Sequence, residues 1–223
     1  TYACSDFKFK KGLVSATKTS GHTLQIADGL WLDKKFKAAM MKSIAQSELD
    51  RKRFVYSDIG FILLQQVVEA VTGKTLDAYL VSEFYRPMGL EHTLFQPLNR
   101  YKKADIMPTA ANDYLRRQDL CGYVHDEAAA FMGGVSGNAG LFSTAQELGK
   151  IYQMILNEGE LDGKRYLRPE TCRIFTTEKS AVSHRGLGYD KPNLKDPKAN
   201  ACASSAPASV YGHTGFTGTC EIG

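Results

Sequence analysis

Clustered charge of either sign is missing from this chain: 28 lysines and arginines stand against 24 aspartates and glutamates, and the net +4 is spread along its length. With neither a basic stripe nor an acidic tail, there is no case for a nucleic-acid partner. No apolar run is long enough to span a bilayer, and no segment has the form of a secretory signal. The five cysteines, Cys4, Cys121, Cys172, Cys202 and Cys220, include no Cys-x-x-Cys pair. That removes the common zinc and redox motifs and leaves buried or free thiols. Tryptophan occurs once, at Trp31, and is read as a packing residue. Internal repeats are also missing. What remains is an ordinary globular composition, 223 residues and 43% hydrophobic, enough for one large domain or two small ones.

Residues 1–33 mix lysines and glycines with short apolar pieces and read as a loop-rich lead-in with one short strand or turn. From Lys34 to Ile44, the spacing of Phe36, Ala39, Met40 and Ile44 predicts a short amphipathic helix. A stronger helix follows Asp58, which is placed to cap its first turn. Ile59, Ile62, Leu63, Val67, Ala70 and Val71 repeat at helical spacing, and Leu64 and Val68 widen the stripe, so this helix is expected to be central. Gly73 ends it. A further helix from about Leu76 to Tyr85 is stopped by Pro87 and Gly89. Between Asn99 and Asp119 the chain is polar and irregular. The glycine-rich run Gly133 to Gly140 reads as a turn. Ser143 with Gln146 has the form of a capping box, opening a helix whose apolar face is Leu148, Ile151, Tyr152 and Ile155 and which Gly159 closes. The organisation expected is a mainly helical lobe over 34–190, an exposed loop over 191–208, and an edge strand over 209–223.

Three features carry chemistry: Tyr56-Ser57-Asp58 at the head of the central helix, the glycine-rich turn before Ser143, and His213-Thr214-Gly215 after a short strand. With Phe54 to Phe61, Tyr85 to Leu90, Gly140 to Thr144 and Tyr211 to Gly218 in that order, the chain resembles the penicillin-recognising serine hydrolases. Within them it is similar to the class C β-lactamase, esterase and D-aminopeptidase branch. The resemblance implies an α/β (α+β) fold, with an antiparallel sheet flanked by helices and a helical lobe. It also implies an active site in the cleft between them, no cofactor or metal, and a protein exported to the periplasm or cell envelope. The implied partner is a small-molecule or peptide substrate; oligomeric state is left open.

A serine hydroxyl is a weak nucleophile, so acyl transfer needs a base and amides to hold the oxyanion. The resemblance gives Tyr56 the role of base or proton relay. A phenol, with an ordinary pKa of about 10, serves only if positive charge lowers it. Asp58 stands where the family has asparagine and is expected to orient groups in the cleft. His213 stands where many relatives have lysine, and a neutral imidazole gives less electrostatic help than an ammonium. Both departures shift the expected substrate from β-lactams toward esters, amides and D-amino-acid peptides. Ser57, Thr214, Gly215 and Thr217 are expected to line the substrate, with Gly215 and Thr217 along a strand edge.

The Ser-x-x-Lys nucleophile is the missing part. Ser15-Ala16-Thr17-Lys18 fits literally, but Thr19 to Thr23 is a poor helix start and Ser15 lies only 41 residues before Tyr56. The expectation is therefore an incomplete copy of the fold, with the nucleophile helix and first strands before Thr1 and the closing strands after Gly223. Gly134-Val135-Ser136-Gly137-Asn138 nearly matches a nucleophile elbow, but Asn138 breaks it. Two alternatives belong to other classes: a non-catalytic module binding peptide or cell-wall fragments, and a metal-dependent hydrolase using His125 and Asp126. The second is disfavoured because adjacent residues point apart and no His-x-x-x-His motif joins them.

Overall fold

The computed structural model describes residues 4–5, 8–48, 54–177, 182–183, 185–193, 202–203 and 205–223. His184, the Cys4 side chain and most of the proline-rich stretch, 194–201 and 204, lie outside the described set. The chain divides into two compact units. One comprises Thr1–Asp50, Tyr56–Glu83 and Thr93–Phe142; the other comprises Arg51–Val55, Phe84–His92 and Ser143–Gly223.

The first unit begins with a hairpin, β1 (Cys4–Ser5) and β2 (Lys8–Phe9), and then a three-stranded antiparallel sheet in the order β3 (Val14–Ser15), β5 (Leu30–Asp33), β4 (His22–Ala27). This corrects the loop-rich reading of 1–33. Register shifts between His22 and Leu24 and between Gln25 and Ala27 interrupt the strict alternation by which a strand is recognised in sequence. The sheet buries Ile26 and Leu32 against Phe36 of α1 (Phe36–Ala45) and against Leu115, Ala130 and Phe131. The rings of Phe36 and Phe131 meet edge to face at 5.2 Å.

Helix α2 (Ile59–Thr72) ends on Gly73 in the left-handed conformation expected of it, at φ 67°. Its predicted central burial is not observed. Ile62 and Gln65 are its buried residues, while Leu63, Leu64 and Val67 are exposed and Val71 is 80% exposed. Apolar periodicity marks a stripe but does not say which part of a nearly all-apolar helix is covered. Helix α3 (Leu76–Leu80) runs on into a π-helical turn, Val81–Tyr85, matching the predicted span. The polar 99–119 stretch is mostly irregular, as expected. Short antiparallel pairs link β6 (Leu94–Phe95) to β9 (Leu141–Phe142) and β7 (Pro108–Ala110) to β8 (Leu120–Cys121), with α4 (Glu127–Phe131) between them in sequence.

In the second unit, α5 (Ala145–Leu156) is capped one residue later than predicted. Thr144 Oγ1 accepts from Glu147 N–H at 3.3 Å, so Thr144, not Ser143, is the cap. The Glu147 carboxylate is not free for the reciprocal bond, because it accepts the N–H groups of Glu91 and His92. The hairpin β10 (Glu160–Leu161) and β11 (Lys164–Arg165) leads to α6 (Pro169–Thr177). The predicted exposed loop begins with a buried pair, Lys191 and Pro192. Lys191, 4% exposed, donates from Nζ to the carbonyls of Thr176 and Ser209. The end of α6 and the segment before the last hairpin are thereby tied together, which a composition rich in lysine and proline does not reveal. The unit closes with β12 (Gly212–Thr214) and β13 (Cys220–Ile222).

Asp113 and Arg116 form a wholly buried ion pair in the first unit, with Nη2–Oδ2 at 2.9 Å and Nε–Oδ1 at 3.0 Å. Burial alone would push the Asp113 carboxyl up, but the Arg116 guanidinium and backbone amide outweigh it and hold it below its ordinary value. Arg116→Met leaves that carboxylate without its partner and is expected to cost about 3–5 kcal/mol of stability, read as a shift in the urea midpoint. The pair's contribution is intact at neutral pH and is lost as acidification passes through the lowered Asp113 value.

Candidate functional site

Tyr56 and Ser57 lie on the irregular lead into α2, and Tyr56 is 53% exposed. Asp58 starts the helix through its carbonyl, which accepts from Phe61 and Ile62 N–H. Its side chain makes no capping bond, contrary to the sequence reading; instead Ser57 Oγ accepts from Ile59 N–H at 3.3 Å. The Asp58 backbone is already helical, at φ −70° and ψ −21°, whereas a capping side chain needs an extended residue to reach back over the first turn. The carboxyl is thus left in a different environment. Burial and then the charge of Asp126 raise its pKa above the ordinary value.

Asp126, named with His125 in the disfavoured metal-hydrolase alternative, is the cap of α4. Its Oδ1 accepts from Ala129 N–H at 2.7 Å and from Asn138 Nδ2 at 3.0 Å. Asn138 in turn accepts from Ser136 Oγ at 2.7 Å. The glycine-rich turn therefore closes onto Asp126, and it also grips α2. Gln65, 2% exposed, accepts from Gly137 N–H and donates to the Val135 carbonyl, each at 3.3 Å, and donates to Glu69 Oε1 at 2.9 Å. Gly137 is the one residue type that fits, since a Cβ there would lie 2.1 Å from the Phe61 carbonyl oxygen.

In the second unit, β12 and β13 pair with Gly212 opposite Ile222, His213 opposite Glu221 and Thr214 opposite Cys220. Gly212 also exchanges hydrogen bonds with Asp190 on the other side. Alternation along an antiparallel ladder then turns the Thr214 N–H to that same side, away from β13. The expectation for Gly215 and Thr217 is corrected here. Gly215 N–H donates to the Thr219 carbonyl at 2.7 Å, and Thr217 sits in the hairpin turn, not along a strand edge. His213 Nδ1 lies 2.7 Å from the Thr214 carbonyl and Nε2 lies 3.3 Å from Arg185 Nη1. A carbonyl only accepts and a guanidinium only donates, so these partners assign the proton to Nδ1 of a neutral imidazole. Arg185 also pairs with Asp190, at 2.6 Å. Sequence reasoning missed Arg185 because it stands 28 residues before His213 in no recognisable motif.

The rejected candidates are placed as follows. Ser15 is in strand β3 and accepts from Thr17 N–H, and Lys18 lies over the Trp31 ring, so the two do not share a helical face. Ser136 is buried in the glycine-rich turn. His125 Nε2 is 4.0 Å from Asp113 Oδ2 while Asp126 caps α4, so adjacent side chains serve different partners. Among the described residues no group of three His, Cys, Asp or Glu side chains is placed to hold a metal ion. Cys121 and Cys172 are buried free thiols, and no described helix is long and apolar enough to cross a membrane.

Because the raised Asp58 value favours the neutral carboxyl in the fold, the ionised form costs stability at neutral pH. That cost disappears as pH falls through the ordinary carboxylate range. Asp58→Asn is accordingly expected to raise the melting temperature at pH 7 by about 1–2 °C. Thermal melts at pH 7 and pH 4 check this: the gain shrinks at the lower pH, and a gain unchanged between the two would contradict it.

Residues 16–222 match the family model described as Beta-lactamase. A protein of Escherichia coli K12 that carries the provisional name D-alanyl-D-alanine carboxypeptidase is 37% identical over 182 residues, covering 76% of this chain and 42% of the relative. An N-acetylmuramyl-L-alanine amidase of Bacillus subtilis is 36% identical over 182 residues, covering 76% of this chain and 41% of the relative. The chain thus spans about two fifths of the length of these curated relatives. In fold it is similar to the octameric penicillin-binding protein homologue of Pyrococcus abyssi, with TM-score 0.56, 17% identity, and coverage of 86% of this chain and 41% of that one. It is also similar to a penicillin-binding protein homologue of Caulobacter crescentus, with TM-score 0.55, 16% identity, and coverage of 94% and 58%. At these identities the structural likeness speaks for the fold alone, but with the family match and the sequence relatives it shows that the chain belongs to the β-lactamase family of penicillin-recognising serine hydrolases.

Proposed function

We propose that the protein is a serine hydrolase that cleaves an amide or peptide bond by way of an acyl-enzyme, with esters as secondary substrates and β-lactams disfavoured. The observation that carries this reading is the 36–37% identity, over 76% of the chain, with proteins named carboxypeptidase and amidase. Both names describe hydrolysis at an amide carbon, where a serine ester intermediate splits one hard step into two easier ones.

In this proposal Tyr56 takes the proton from the serine or relays it, and Asp58 orients groups beside it. Ser57, Thr214, Gly215 and Thr217 line the substrate. The Thr214 N–H, facing away from β13, is the strand amide offered to the oxyanion. His213 lacks the ammonium charge of a lysine, and the Arg185 guanidinium 3.3 Å away supplies a permanent positive charge next to it. The carboxypeptidase and N-acetylmuramyl amidase names point to cell-wall peptides as the substrate class, and hence to a protein working outside the cytoplasm. No metal or organic cofactor is invoked, since base, oxyanion donors and charge are all protein groups.

Neither Ser15 nor Ser136 has the geometry of the nucleophile, so the test uses the full-length protein. Tyr56→Phe is expected to slow acylation by a fluorescent penicillin or an activated phosphonate by about 10² or more, the usual scale for loss of a general base. Labelling at the wild-type rate would remove Tyr56 from the mechanism.

A further inference from the structure

The first unit holds a cavity of about 290 Å³, near the lower end of the size range of small-molecule sites, and none of Tyr56, Ser57 or Asp58 lines it. One wall is the β4–β5 sheet. Gln25 and Trp31 are direct cross-strand partners there, so both side chains stand on the same face. The Lys18 ammonium lies 5.5 Å from the centre of the indole ring. Gln96, Asn99 and Tyr123 contribute to the rest of the lining.

This second wall is built to hold its shape. Gln96 has a left-handed backbone, φ 49° and ψ 58°, a conformation that costs a non-glycine residue energy and persists only where the surroundings enforce it. Its Nε2 donates to the Gly133 carbonyl at 2.5 Å and its Oε1 accepts from Asn99 Nδ2 at 3.1 Å. Tyr123 is fixed through its hydroxyl, which donates to Asp28 Oδ1 at 3.0 Å.

The lining chemistry is selective. It contains one cation and no carboxylate, so a ligand carrying a single negative charge is favoured. Among the described residues no carboxylate forms an ion pair with Lys18. An indole face accepts a saturated ring with an apolar side, and the carboxamides of Gln25 and Asn99 each offer a donor and an acceptor at the rim. A fatty chain would make no hydrogen bond to these amides or to the ammonium. A sugar ring with one carboxylate satisfies all of them.

We propose that this cavity is a binding site for an acidic hexose, with the ring against Trp31, the carboxylate on Lys18 and ring hydroxyls on the amides of Gln25 and Asn99. The site is independent of the acyl-transfer chemistry. Trp31 is the single tryptophan of the chain, so its fluorescence reports on the cavity directly.

Titrating the full chain with glucuronate is expected to give a saturable fluorescence change with a Kd on the order of 1 mM. Glucose should bind at least about tenfold more weakly, as expected for loss of a charged contact, and acetate should give no saturable change. Lys18 and Gln25 are both exposed, so Lys18→Met and Gln25→Ala are expected to keep the native circular dichroism spectrum. Lys18→Met should bring glucuronate down to the affinity of glucose, and Gln25→Ala should weaken both sugars. The proposal is overturned if glucuronate gives no saturable change, if glucose or acetate matches it, or if folded Lys18→Met binds it unchanged.

Discussion

Much of the first unit is anchored by one buried ion pair. Arg116, neutralised by Asp113, also donates to the carbonyls of Val124 and His125. Those carbonyls fix the backbone immediately before Asp126, which must point one way to cap α4 and receive Asn138. Asn138 belongs to the glycine-rich turn, and that turn holds Gln65 in the middle of α2. The head of α2 carries Tyr56, Ser57 and Asp58. A charge pair with no direct role in chemistry thus sets, through a relay of hydrogen bonds, where the motif residues of this unit stand. The geometry is bidentate and two carbonyls take further guanidinium N–H groups, conditions that help a buried pair repay its desolvation.

The two departures from the commoner family pattern are each answered by a neighbour that the motifs do not include. Asparagine to aspartate at position 58 introduces a group that could ionise, and its surroundings oppose that ionisation: partial burial and the Asp126 carboxylate both favour the neutral acid. Lysine to histidine at position 213 removes a cation, and Arg185 stands beside the imidazole that replaces it.

How much of this was legible in the sequence depended on the kind of signal. Helices α1, α2 and α5 announced themselves because apolar spacing at 3.6 residues survives without knowledge of partners, and Gly73 closed α2 as its position suggested. The β4–β5 sheet went unread because its bulges scramble the alternation of two. Cap assignments slipped at Asp58 and Ser143, since several adjacent residues can serve and only backbone angles decide between them. Motif residues were visible as short patterns, but Arg185, Asp126 and Asn138 reach theirs through folding, and nothing in their spacing encodes it. Lys191 shows the limit of composition: its stretch reads as solvent-facing, yet two carbonyls draw its ammonium inside.

The terminal hairpin illustrates how little slack such a site has. Gly212 exchanges both of its backbone hydrogen bonds with Asp190 on one flank and faces Ile222 on the other, so the ladder has a fixed starting point. Strand side chains alternate sides with every step, and slipping the pairing by one residue would throw the imidazole onto the reverse face, out of reach of the guanidinium. Insertions or deletions between Asp190 and the hairpin are harmless only if they leave that anchor in phase, whereas changes within the five-residue bend beyond Thr214 leave the phase of the strand untouched.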